Sequence, residues 1–174
     1  MVLVSPEARR VLGDGAVAKL CASDVYGRAV IEAGWVLDDG AALLVAYRRS
    51  YFGRRPAEAV DWELAVNGRG IPDGDITACG DERIRLLMRR GMAFAWEALH
   101  ALGTSAPGHP MIARVSASEV LSEPGAFTGY VSFFSAEFAD AMGVGRGGEG
   151  DGVLVYLTSE ECTQPLPEDA ARIR

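Results

Sequence analysis

The stretch Asp81–Leu102, DERIRLLMRRGMAFAWEALHAL, limits what this chain can fold into more than any other. Its apolar residues recur at helical spacing. Ile84, Leu87, Met88, Gly91, Ala95, Ala98, Leu99 and Leu102 share one broad face, flanked by Met92 and Phe94. Asp81 is placed to cap the first free N–H groups, Glu82 puts negative charge at the positive end, and Gly103 stands where a left-handed stop belongs. Such a helix spans on the order of 30 Å, and its apolar face requires a sheet or other helices over it.

The remaining chain supplies that cover. Ser5-Pro6-Glu7 opens a short helix to about Leu12, and Asp14 caps a second, apolar one over 16–22. Ala29–Leu37 and Ala41–Arg49 read as the strands of a hairpin turning at Asp38-Asp39-Gly40, with Leu43, Val45 and Tyr47 on one side. Ala59–Asn67 reads as the plainest strand, because Val60, Trp62, Leu64 and Val66 alternate with Asp61, Glu63, Ala65 and Asn67. That places Trp62 in the core against the long helix, with Asp61 and Glu63 in water. Asn67-Gly68 predicts a turn.

Met111–Val115, Ala126–Phe134 and Val153–Thr158 read as further strands, Ser116–Leu121 as helical turns, and Ser135 as the cap of a helix through Met142. Strands adjacent in sequence imply one α+β domain over residues 1–174. A mainly antiparallel sheet of about six strands then packs against the long helix and two or three short ones. Residues 143–152 predict a mobile glycine-rich loop that tolerates shortening, and 160–174 a tail.

Several chemistries find no footing. The opening MVLVSPEARR has no basic start before a long apolar run, and the longest apolar stretch, Ala41–Tyr47, is far too short for a bilayer, so a cytoplasmic protein without a membrane span is expected. Cys21, Cys79 and Cys162 are odd in number and far apart, which fits reduced thiols rather than a disulfide framework or paired-cysteine zinc site. Sixteen arginines against one lysine, with abundant Ala and Gly, suggest a GC-rich bacterial genome. The net charge is −7, and residues 101–174 hold most of it with 4 basic and 10 acidic side chains. An acidic chain is a poor general binder of nucleic acid.

The segment 143–152 contains the G-x-G-x-x-G spacing at Gly145, Gly147 and Gly150, but a helix precedes it and a strand follows, the reverse of a dinucleotide site. Counted from Asp73, an EF-hand loop would need Gly at Ala78 and Glu at Ile84, so no calcium motif is present. With two histidines, His100 and His109, and no H-E-x-x-H or G-x-S-x-G, neither a zinc hydrolase nor a serine hydrolase is indicated, and no metal or cofactor is expected. Asp61 and Glu63 read as an exposed strand face rather than a catalytic carboxylate pair.

The unusual chemistry is basic. Arg48, Arg49, Arg54 and Arg55 surround Tyr51 and Phe52 at the end of a hairpin strand, and Arg85 and Arg89 lie one turn apart on the long helix, where Arg85 is spaced to pair with Asp81. Arginine forks hold carboxylate and phosphate, and aromatic rings stack on guanidinium groups. No stretch assigns the chain to a family. The expected function is binding, to a protein partner, in the manner of an immunity, antitoxin or chaperone-like module. The alternative is a small enzyme or ligand-binding domain that holds an anionic substrate with these arginines.

Overall fold

A computed structural model describes residues 3–144 and 152–168. After β1 (Leu3–Val4), α1 (Pro6–Leu12) forms as its sequence directs. The Ser5 hydroxyl accepts the Ala8 N–H at 3.1 Å, Pro6 occupies the first turn, and Gly13 ends the helix at φ 74°. The expected helix over 16–22 is instead two 3-10 turns, Val17–Lys19 and Ala22–Asp24, because Leu20 and Cys21 between them are extended.

The hairpin is present but shorter than its apolar runs. Its first run begins as a helix, α2 (Arg28–Glu32), bounded by Gly27 at φ 63° and Gly34 at φ 74°. Only then come β2 (Trp35–Asp38) and β3 (Ala41–Leu44), joined by Asp39 at φ 49° and Gly40 at φ 83°, the paired positive angles of a type I′ turn. All four β3 residues are buried, and the chain then coils into α3 (Val45–Arg49), so Leu43, Val45 and Tyr47 do not share a strand face.

The largest correction concerns residues 59–67, which form a helix, α4 (Ala59–Asn67), not a strand. Its buried side chains are Trp62, Glu63, Val66 and Asn67, a helical spacing that two polar members concealed. Trp62 is buried as expected, but with Ala41, Leu43 and Val66 in a second core, not against the long helix. Gly68 ends α4 where Tyr130 Oη and the Leu64 carbonyl leave no room for a Cβ.

Beyond β4 (Arg69–Gly70) lies the long helix, α5 (Gly80–Ser105). It buries Ile84, Leu87, Met88, Gly91 to Ala95, Ala98, Leu99 and Leu102, close to the face its periodicity specifies. Gly91 permits close approach, since a Cβ there would lie 2.5 Å from Ile71 Cδ1 and 2.7 Å from Val115 Cγ1. Asp81 makes no cap bond; it pairs with Arg10 of α1 at 3.0 Å. Gly103 does not stop the helix, which runs on to Ser105.

The sheet is β5 (Met111–Glu119), β6 (Phe127–Ser135) and β7 (Val153–Thr158) with the two short strands, in the order β1-β7-β5-β6-β4 and antiparallel throughout. Residues 116–119 extend β5 rather than forming helical turns, since Ser116 and Ser118 stand on the open face while Ala117 points to the core. Ser135 does not cap a helix through Met142; one 3-10 turn, Ala136–Phe138, follows it. The molecule is a single α+β domain in which α5 covers one sheet face, and α4 with residues 136–144 packs on the other. Among the described residues no helix is long and apolar enough to cross a membrane. The glycine-rich run falls mostly outside the described residues, at 145–151, as does the end of the tail, 169–174.

Candidate functional site

The hairpin of β2 and β3 has two edges, and α4 closes one of them. In this antiparallel register the backbone groups of Ala42 and Leu44 point away from β2. Glu63 Oε1 accepts the Ala42 N–H at 2.9 Å, while Asn67 accepts the Leu44 N–H at 3.0 Å and donates to the Ala42 carbonyl at 2.8 Å. Side chains one helical turn apart thus stand in for a neighbouring strand. Glu63 also accepts the N–H and hydroxyl of Ser135 at 2.7 and 2.6 Å, which ties the hairpin to the end of β6. Three donors converge on this fully buried carboxylate, none of which requires it to donate. Asp61 beside it is exposed, so the two acids do not form a pair.

The other edge is open. The alternation that aims Ala42 at α4 aims the N–H and C=O of Leu37, its register partner, outward from β2. Val36 at 40% and Leu37 at 52% exposed stand on this strand, and Phe52 at 95% exposed lies in the loop after α3.

The arginines predicted at 48–55 stand on a short helix and the loop after it, and two of them reach the turn end of the hairpin. Arg48 and Arg55 lie over the Trp62 ring, 5.1 and 5.9 Å from its centre, and reach Asp38 at 3.3 and 3.5 Å; Arg55 also binds Asp39 at 2.7 Å. Tyr51 meets the edge of Trp62 and donates its hydroxyl to the Arg54 carbonyl. Arg49 and Arg54 are exposed, and their guanidinium groups have no partner among the described residues. Two acids therefore answer four cations. The acids were not assigned to this cluster in the sequence, because the hairpin brings Asp38 and Asp39 to it from a distance.

Arg85 and Arg89 do not act together. Arg85 bonds the Val11 carbonyl and pairs with Glu82 at 3.1 Å, not with Asp81, which fastens α1 to α5. Arg89 lines a groove of about 580 Å³ between residues 23–26 and 75–78, where it pairs with Asp24 at 2.8 Å. Arg90, which sequence spacing did not single out, pairs with Asp75 there at 2.7 Å and holds that carboxyl down to about 2. Tyr26 also lines the groove; its buried hydroxyl has no hydrogen-bond partner, and burial pushes its ionisation far above the usual phenol range. Among the described residues no group of acids, histidines and cysteines is arranged to hold a metal ion. No family model, no curated protein and no solved structure matches the chain.

Proposed function

We propose that this protein is a binding module that takes an extended, acidic segment of a partner protein along the β2 edge. One observation carries the reading: an unclosed strand edge with outward backbone groups at Leu37 ends at Asp38, where arginines that exceed their acidic partners gather. Strand addition draws affinity from main-chain hydrogen bonds and specificity from flanking side chains. Here Val36, Leu37 and Phe52 offer apolar contact, and Arg49 and Arg54 offer unspent charge. In a chain of net charge −7, this local surplus favours an acidic segment over a basic one.

The test uses an acidic, β-branched heptapeptide and its lysine-substituted twin, titrated against the protein by NMR at low salt. The acidic peptide is expected to perturb residues 35–38 saturably and the basic twin not to. The double variant Arg49→Gln/Arg54→Gln should weaken binding at least tenfold, about 1.4 kcal/mol, with stability unchanged. Leu37→Pro removes an outward N–H without touching the bonded rungs, and edge strands accept such a proline; it should fold and fail to bind. Equal binding of both peptides, or perturbation away from β2, would overturn the reading.

A second reading, a ligand-binding domain for a small anion, is favoured by the orphaned Tyr26 hydroxyl in the groove beside Arg89 and Arg90. It ranks lower because both guanidinium groups already hold carboxylates. A small anion that shifts the Tyr26 ring resonances in the native protein, but leaves residues 35–38 unmoved, would reverse the ranking.

A further inference from the structure

The outer face of the five-stranded sheet carries a charge that nothing described answers. Among the outward positions of β5, β6 and β7, Arg114 is the one charged residue. It stands in register between Ser132 and Tyr156 on the flanking strands. At one end this face is closed, with Phe134 and Tyr156 packed among Leu64 and Phe138. At the other it opens, and Ser118 and Tyr130 are exposed. Arg114 lies half-buried at that border.

Its guanidinium makes no hydrogen bond or ion pair with any described residue. Ser132, its direct cross-strand neighbour, is 1% exposed, and its hydroxyl also lacks a partner. Cations withdrawn from water are ordinarily paired, and buried hydroxyls ordinarily bonded. The other arginines drawn from water have partners: Arg83 and Arg90, 17% and 24% exposed, hold carboxylates, and half-buried Arg69 holds the Gly68 carbonyl and lies over the Tyr47 ring. At these two register partners a cation and a hydroxyl are both unsatisfied, and the strand face offers no acid to compete for them.

We propose that Arg114 and Ser132 form a site for one oxyanion group, a carboxylate or a phosphate, entering from the open end of the sheet face. The guanidinium presents parallel N–H donors to two oxygens of such a group, and the serine hydroxyl supplies a third donor. The ring of Tyr156 stands on the far side of the arginine. This site is independent of the β2 edge.

The test follows the Arg114 Nε–H by NMR in the wild-type protein as inorganic phosphate or acetate replaces chloride at matched ionic strength. A saturable shift with phosphate alone identifies a phosphoryl ligand, with acetate alone a carboxylate, and with both a general oxyanion site. Ser132→Ala should weaken the response at least fivefold. Arg114→Lys, which keeps the charge and loses the fork, should weaken it at least tenfold, and Arg49→Gln should leave it unchanged. Absence of a saturable shift with either anion, or equal affinity in Arg114→Lys, would overturn the proposal; the first reading needs no variant to fold.

Discussion

At the β3 edge of the hairpin the backbone groups of Ala42 and Leu44 are taken up by Glu63 and Asn67, whereas at the β2 edge those of Leu37 face outward with exposed apolar residues around them. The same two strands therefore present one finished edge and one unfinished edge. Finishing an edge without another strand requires polar side chains on the buried face of a helix, each placed for a particular bond. That makes the closed edge intolerant of change. The open edge makes few internal bonds, so substitutions there cost the fold little and are expected to alter binding instead.

Four substitutions or conditions sharpen the contrast, and the largest effect belongs to the second core. Trp62→Ala removes the ring on which Arg48, Arg55 and Tyr51 gather and should destabilise by roughly 3–5 kcal/mol in urea unfolding. Glu63→Gln keeps the shape but turns an amide N–H toward one of three donors, and should cost about 3 kcal/mol. Asn67→Ala orphans the Leu44 N–H and the Ala42 carbonyl at an expected cost of about 2 kcal/mol. A neutral result for Glu63→Gln would mean that the edge is not closed by these bonds.

The smallest effect lies away from the hairpin. Arg90 lowers the Asp75 carboxyl from 3.8 to about 2, so the folded state binds that proton less readily than the unfolded chain. The resulting stabilisation is complete above pH 4 and fades as the pH falls from about 4 to 2. Because the pair is exposed, Asp75→Asn should flatten the acid limb of the stability curve only slightly. A pH titration of the urea midpoint checks the sign.

The same contrast explains what the sequence made legible. The face of α5 was readable because apolar burial repeats at a fixed period, and the turn at Asp39-Gly40 because its backbone angles demand those residues. The helix α4 was misread because its inward positions include Glu63 and Asn67, which erase the helical apolar period and leave a strand-like alternation at 60, 62, 64 and 66. The arginine cluster was visible as local concentration. Its pairing with Asp38 and Asp39, the separation of Arg85 from Arg89, and the isolation of Arg114 depend on contacts between distant segments, which spacing does not encode.

Amide hydrogen exchange along the hairpin tests the two-edge account most directly. The Ala42 and Leu44 amides, bonded to α4, should exchange only through large-scale opening, while the Leu37 amide exchanges at close to the rate of an unprotected chain. Addition of the acidic heptapeptide should slow Leu37 and leave Ala42 and Leu44 unchanged. Protection of Leu37 in the free protein equal to that of Ala42, or rapid exchange at Ala42, would contradict the account.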